Sequence, residues 1–94
     1  MAADRASQYY HITTAGTYQI KTGRGRLRRI VINTPVANDT VKIIDGTSGT
    51  TANIATITEG ASVSGPVEID YNVIFMNGLR IITDGNDDIT VVFE

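Results

Sequence analysis

Apolar and polar side chains alternate without a break in the segment Val67-Glu68-Ile69-Asp70-Tyr71. A period of two places the apolar side chains on one face of an extended strand and the two carboxylates on the other. The strand is predicted to continue to Phe75, past a bend near Asn72. Strands with one buried and one solvated face are typical of antiparallel sheets, so this segment predicts a β-protein.

Short strands with the same period are predicted along the whole chain, separated by turns rich in Gly, Asn, Asp and Pro. In order, they cover residues 9–13, 17–22, 26–33, 40–44, 52–58, 67–75, 79–83 and 89–93. Thirteen threonines and many Val and Ile residues favour extended chain, and no window has the apolar stripe of an amphipathic helix. The sequence therefore predicts an all-β, single-domain antiparallel β-sandwich of about eight short strands, jelly-roll-like in arrangement.

Individual positions in these strands are predicted as well. Tyr18 and Ile20 should share one face of the second strand, and Val41 and Ile43 should point inward from the fourth. The dipeptide Asn77-Gly78 is the strongest hairpin signal, because both central residues of such a turn need a positive φ. It is predicted to join the seventh strand to the sixth.

Several strands carry apolar residues on both faces. Val31 lies opposite Ile30 and Ile32, and Ile82 lies opposite Ile81. A sandwich of this size has one core, so the outward residues need a separate explanation. Either another subunit covers them, or strand twist or a misassigned register produces the pattern.

The chain has 94 residues, no cysteine and a net charge of −2. This length suits one domain, and we predict a flexible N-terminal arm over residues 1–8 and the β-sandwich domain over residues 9–94. The lack of cysteine excludes disulfides and thiolate metal sites, and the net charge argues against nucleic acid as the main partner. The polar start of the chain lacks the apolar core of a secretory signal, and no apolar run approaches the roughly 20 residues of a membrane span, so we expect neither.

Few residues suit catalysis. His11 is the only histidine, and no Gly-x-Ser-x-Gly turn presents a serine to it. The acidic residues cluster in turns instead of converging on a cleft. We therefore expect no catalytic residue, no cofactor and no metal, and we interpret the protein as a non-enzyme.

The segment Asp84-Gly85-Asn86-Asp87-Asp88 has two interpretations. Several oxygen ligands in one short loop could hold a hard cation such as Ca²⁺, although the bidentate Glu that ends an EF-hand loop is missing. Asp, Asn and Gly are also the ordinary residues of a β-turn. The turn is the favoured interpretation.

Positive charge is concentrated between residues 21 and 29. Strict alternation would send Arg26 and Arg28 to one face of the sheet and Arg29 to the other. The interpretations are an interface that pairs arginines with a partner's carboxylates, a solvated face, or a nucleic-acid site. With the aromatic residues near the start of the chain, which interfaces favour, the candidate partner interface consists of Tyr9, Tyr10, His11, Arg24, Arg26, Arg28 and Arg29.

Five segments carry a resemblance to a known family. They are Arg29-Ile30-Val31-Ile32-Asn33-Thr34-Pro35, Val41-Lys42-Ile43-Ile44-Asp45-Gly46-Thr47, Val67-Glu68-Ile69-Asp70-Tyr71-Asn72-Val73-Ile74-Phe75, Gly78-Leu79-Arg80-Ile81-Ile82-Thr83 and Asp88-Ile89-Thr90-Val91-Val92-Phe93. Over residues 9–94 the chain resembles small β-sandwich virion proteins of tailed bacteriophages, encoded near the head-protein genes. The resemblance rests on strand and turn residues and brings no catalytic motif.

This resemblance implies a capsid decoration, or cement, protein. Such a protein is made in the host cytoplasm, lies on the outer surface of the virion capsid and clamps neighbouring subunits of the major capsid protein. Many are trimers, so a homo-oligomer, with a trimer favoured, is expected. An N-terminal arm that adds a strand to a neighbour's sheet would make residues 1–12 necessary for docking. The alternatives are another head, neck or tail component, or a carbohydrate- or receptor-binding domain that uses Tyr9, Tyr10 and the loop 47–51.

Overall fold

The computed structural model describes residues 7–94, which form eight strands and no helix. The strands are β1 (Gln8–Ile12), β2 (Gly16–Thr22), β3 (Gly25–Thr34), β4 (Thr40–Asp45), β5 (Ala55–Thr58), β6 (Val67–Phe75), β7 (Gly78–Thr83) and β8 (Asp88–Phe93). The described residues thus contain no helix that could cross a membrane. The predicted strands are confirmed, with β5 shorter than predicted. Residues 1–6 of the predicted arm lie outside the described residues, and Gln8 already belongs to β1.

The strands form two antiparallel four-stranded sheets. The first sheet has the order β1-β8-β3-β6 and the second the order β2-β7-β4-β5. Apart from the β4–β5 hairpin, each connection crosses from one sheet to the other. Two packed four-stranded sheets joined in this way form a jelly roll, and the predicted fold class is confirmed.

The core lies between the two sheets and is built from the inward positions of the strands. Its buried members are Ile12, Leu27, Ile30, Ile32, Val41, Ile43, Phe75, Leu79, Ile81, Ile89, Val91 and Phe93. Val41 and Ile43 point inward as predicted, and Tyr18 and Ile20 both pack against this core. Among residues 7–94, the edge strand β6 has β3 as its one neighbour, and Val67 at its start stays 41% exposed despite the clear alternation of the segment.

The predicted hairpin at Asn77-Gly78 is wrong. Since β6 and β7 belong to different sheets, the turn carries the chain across the sandwich instead of pairing the two strands. Neither residue has a positive φ. The corner is held by Asp45 at the end of β4, whose carboxylate accepts hydrogen bonds from the backbone amides of residues 76, 77 and 78.

The outward apolar residues are not an artefact of register. Ile30, Ile32 and Ile81 are buried in the core, while Val31 and Ile82 face outward and are half-buried. The sequence therefore assigned these faces correctly, and a misassigned register does not explain the pattern.

One outward residue of the second sheet is covered by the chain itself. Ile44 pairs with Arg80 on the outer face but is only 2% exposed. The loop that follows β4 folds back over it, and the Arg80 Nε–H donates to the carbonyl of Gly49 at 3.1 Å. The protein thus buries part of its outer apolar surface without a partner.

Bulges interrupt the alternation where β3 meets its neighbours. Asn72 of β6 has a φ of 51°, which confirms the predicted bend. Opposite it, β3 shifts register between Leu27 and Arg29 against both β6 and β8. Against β8 the extra residue is Arg28, whereas against β6 the extra residue lies on β6, beside Asn72. Arg28 and Arg29 stand between the buried Leu27 and Ile30, and both face outward. The prediction that Arg29 lies on the opposite face from Arg26 and Arg28 is wrong.

Candidate functional site

The outer face of the first sheet brings together most of the predicted interface residues. Tyr9 of β1 and Arg29 of β3 are both in register with Val92 of β8, which lies between them. With strands about 4.8 Å apart, the two side chains start about 10 Å from each other. We call the residues that share this face the outer-face patch: Tyr9, His11, Arg26, Arg28 and Arg29.

Two of the predicted interface residues lie away from this patch. Tyr10 alternates to the inner side of β1, where its ring packs against that of Tyr18 with the centroids 6.0 Å apart. Arg24 lies in the turn between β2 and β3. Tyr10 therefore closes the edge of the sandwich, and Arg24 extends the positive charge to one end of the molecule.

The arginines of the outer-face patch, and Arg24 beside it, differ in how far their charge is already neutralised. Arg28 pairs with the carboxylate of Glu94. Arg29 pairs with Glu68 at 2.8 Å and Asp70 at 3.3 Å, both on β6. Within residues 7–94, Arg24 and Arg26 form no ion pair. The charge free to meet a partner's carboxylate is therefore that of Arg24 and Arg26.

These two arginines line a groove of about 530 Å³ at the end of the sandwich. The other lining residues are Lys21, Gly25, Ile74 and Glu94. Three cationic side chains and one carboxylate leave the groove with a positive balance. An acidic side chain of a partner would suit it better than a basic one.

His11 is part of a polar network on the same sheet face. Its Nε2–H donates to Asp88 Oδ1 at 2.7 Å, and Asn33 Nδ2–H donates to the same oxygen at 2.9 Å. These hydrogen bonds hold the pKa of Asp88 below its ordinary value. Among the described residues, no hydrogen bond joins His11 to a serine or threonine hydroxyl. The network orients the side chains of the sheet face and presents no activated nucleophile.

The residues of the alternative sugar-binding interpretation do not meet. Tyr9 lies on the outer face of the first sheet, whereas the loop 47–51 folds over the outer face of the second. The two sheets are stacked, so these features are on opposite sides of the molecule. One carbohydrate site formed by both is not present.

The acidic loop 84–88 uses its side chains in separate directions. Asp84 Oδ1 accepts the backbone amide of Thr40 at 2.7 Å, and Asn86 Oδ1 accepts that of Ala15 at 3.0 Å. Asp88 is engaged by His11 on the sheet face. Consecutive residues of this loop therefore do not form a cation site by themselves, and most of its polar side chains tie neighbouring segments together.

Asp87 instead joins two carboxylates from other loops. Asp39 precedes β4, Glu59 follows β5 directly, and Asp87 directly precedes β8. Each contributes one oxygen to a set whose members all lie within 4.8 Å of one another. We call Asp39, Glu59 and Asp87 the carboxylate cluster. Asp87 is fully buried and Glu59 is 7% exposed.

The three carboxylates of the cluster repel one another when all of them are ionised. Sharing of a hydrogen bond with Asp87, together with burial and the charges of Asp87 and Asp84, raises the pKa of Asp39 to about 6. Burial and the neighbouring Glu59 raise the pKa of Asp87 to about 6. None of the ion pairs among residues 7–94 involves these three carboxylates. Two of the three thus favour the protonated form more than an ordinary carboxyl does.

No protein-family model, curated protein or solved structure matches this chain. Its function is accordingly argued from the outer-face patch and the carboxylate cluster.

Sequence reasoning missed the carboxylate cluster because its residues are far apart in the chain. Asp39 ends the connection before β4, and Glu59 begins the Gly/Ser-rich connection 59–66; an acidic residue is ordinary in such loops. Their meeting depends on the β4–β5 hairpin, in which the amide of Glu59 donates to the carbonyl of Asp39 at 2.9 Å. The one local signal was the acidic loop that contains Asp87.

Proposed function

We propose that the protein is a structural component of a tailed-phage virion, which decorates the outer capsid surface and clamps neighbouring subunits of the major capsid protein. The observation that carries the proposal is the outer-face patch, where an uncovered tyrosine, a histidine and three arginines share one face of a sheet. Jelly rolls are common among viral capsid domains. The proposed role is one of binding, without catalysis.

The chemistry of the patch supports a protein partner. Aromatic and arginine side chains are enriched in protein interfaces, where they contribute much of the binding energy. Tyr9 is 75% exposed and lies beside the half-buried Val92. Arg24 and Arg26 would pair with carboxylates of the capsid protein at the rim. Many copies on one shell would give lasting attachment even where each contact is weak.

The edge strand β1 supports a strand-addition component of this docking. Within residues 7–94 it pairs with β8 alone, so its other side offers backbone groups that no described strand pairs. A strand from the capsid, or from another copy of the chain, could pair there through main-chain hydrogen bonds.

We propose a homo-oligomer on this basis, with a trimer favoured. Sedimentation of the purified chain tests this oligomeric state. A chain that sediments as a monomer at all concentrations would contradict it.

Tyr9→Ala is expected to weaken binding to expanded capsids at least about 10-fold, as loss of an interface aromatic does. Its melting temperature should stay close to that of the original chain, because the side chain is exposed. Met76→Ala is the matched control: Met76 is 58% exposed and lies after β6, at the other edge of the first sheet. Co-sedimentation with capsids measures both. A loss confined to Met76→Ala would contradict the assignment of the patch as the docking face.

The role of the N-terminal arm needs a shorter deletion than residues 1–12. Residues 8–12 form β1, and Ile12 is buried in the core, so their removal would damage the sheet itself. Deletion of residues 1–7 leaves β1 intact. If the arm clamps a neighbouring subunit, this deletion lowers capsid affinity without lowering the melting temperature. Equal affinity of the shortened and full chains would contradict the clamping arm.

A further inference from the structure

The carboxylate cluster contains more unpartnered acceptors than a folded protein normally buries. Among the described residues, Asp39 Oδ2, both carboxylate oxygens of Glu59 and both of Asp87 have no hydrogen-bond partner while the three groups are ionised. The three carboxyls share hydrogen bonds with one another only when one of them is protonated. Glu59 and Asp87 are each more than nine-tenths buried. Buried polar atoms almost always have a partner, and a buried charge without one is costly. No ion pair among residues 7–94 involves these carboxylates, so the described side chains leave their negative charge uncompensated.

The spacing of these oxygens fits one hard cation. Ca²⁺ binds carboxylate oxygens at about 2.4 Å, so two oxygens on one ion are at most about 4.8 Å apart. The ligand atoms of Asp39, Glu59 and Asp87 all lie within 4.8 Å of one another. An ion between three oxygens so spaced lies no more than about 2.8 Å from each of them, so shifts of a few tenths of an ångström bring all three to bonding distance.

We propose that the carboxylate cluster is a Ca²⁺ site, with Asp39, Glu59 and Asp87 as its protein ligands. The site goes beyond the proposed capsid role and does not depend on it. It ties together the loops before β4, after β5 and before β8 at the end of the sandwich opposite the Arg24 groove.

The donor set favours Ca²⁺ over other metals. All three side chains offer oxygen, and there is neither a histidine nitrogen nor a thiolate, which Zn²⁺ and Cu²⁺ prefer. Mg²⁺ is smaller and keeps several waters, which suits a site with fewer protein ligands than this buried one. A set of three carboxylates, two of them buried, best matches the larger ion.

Gly85 makes room for the site. A Cβ at this position would overlap the carboxylate of Asp39. The absence of a side chain lets the β7–β8 loop approach the β3–β4 loop closely enough for Asp87 to reach Asp39. Glycine is therefore required at position 85 so that the two loops can pack closely.

Calcium titration of the full chain, after EDTA treatment and dialysis, tests the proposal. Isothermal titration should show one saturable Ca²⁺ site with a dissociation constant in the micromolar to millimolar range. Saturating Ca²⁺ should raise the melting temperature by about 5 °C or more, because it binds the folded chain alone. Mg²⁺ at the same concentration should raise it by less than half as much.

Paired charge-removing variants separate this site from general screening of negative charge. The variant Glu59→Gln/Asp87→Asn should lose both the saturable heat and the melting shift. The matched control Glu68→Gln/Asp70→Asn removes the same charge from two exposed carboxylates on β6 and should keep both responses. The first variant should still fold in EDTA, since it removes repulsion, and its own melting curve verifies this.

Three results would overturn the proposal. One is a wild-type chain without saturable Ca²⁺ binding at millimolar concentration. Another is an equal loss of response in both paired variants, which would indicate screening only. The third is a stability that depends on pH but not on Ca²⁺, which would assign the cluster to proton sharing between carboxyls.

Discussion

Asp45→Ala is expected to lower the free energy of unfolding by about 3 kcal/mol, because it leaves backbone amides at a tight corner without their charged acceptor. The carboxylate accepts hydrogen bonds from the amides of Met76 at 2.9 Å, Asn77 at 2.8 Å and, more weakly, Gly78 at 3.4 Å. These bonds hold the crossing from β6 to β7, and so the relative position of the two sheets. Urea denaturation of the variant and the original chain measures the difference.

Asp70→Ala is the matched control for this loss. It also removes a carboxylate, but one that lies on the exposed side of β6 and pairs with Arg29. Exposed ion pairs contribute about 0.2–1 kcal/mol, so this variant should be only slightly destabilised. If the two variants lost equal stability, the corner role of Asp45 would be refuted.

The stabilising effect of Asp45 should disappear in acid. Partial burial alone would raise the pKa of Asp45, but the amides of residues 76, 77 and 78 outweigh it and hold the pKa below its usual value. A carboxyl whose pKa is lowered on folding contributes stability above its unfolded value of about 4 and loses it as the pH falls. The difference between the original chain and Asp45→Ala should therefore shrink below about pH 4.

Asp87→Asn is expected to raise the melting temperature of the metal-free chain by about 5 °C or more at pH 8, which corresponds to roughly 1 kcal/mol. The substitution removes one negative charge from the carboxylate cluster and supplies an amide N–H donor to its unpartnered oxygens. This is the reverse of the usual result for a buried polar residue, where loss of a partner destabilises. Differential scanning calorimetry in EDTA measures it.

As the pH rises, the contribution of the Asp87 carboxyl to stability falls, whereas that of Asp45 increases, so the gain of Asp87→Asn grows with pH. The pKa values of Asp39 and Asp87 are raised to about 6 in the folded chain from 3.8. Between these values the folded chain holds protons that the unfolded chain has released, so stability falls as the pH rises. Above about pH 7 all the carboxyls are ionised in both states and the penalty is constant. Glu59 and Asp84 add negative charge to the same cluster and strengthen the trend.

The comparison with Asp87→Asn isolates this trend from the other carboxyls of the chain. The melting temperatures of the two proteins in EDTA should differ little at about pH 4 and diverge until about pH 7. Saturating Ca²⁺ should remove most of the difference at pH 8 by stabilising the original chain. A metal-free original chain that melts above Asp87→Asn at pH 8 would show that the cluster is not strained by its charge.

The direction of side chains along each strand could be determined from the sequence alone. Val41, Ile43, Ile81 and Ile89 all lie where the period of two predicts, because successive side chains of a strand point to opposite faces whatever the strand's neighbours are. The number of strands and the bend at Asn72 follow from equally local signals, in turn residues and alternation.

The features that depend on contacts between distant parts of the chain were decided only by the tertiary structure. The turn propensity of Asn77-Gly78 is local, but the conformation of this corner is set by hydrogen bonds to Asp45, which lies on a distant strand. The bulge at Arg28 arises from pairing with β8, and it gathers the arginines on one face. Asp39, Glu59 and Asp87 meet because three loops end at the same edge of the jelly roll. Alternation is a property of a single strand, whereas sheet order and loop convergence depend on contacts between residues far apart in the chain.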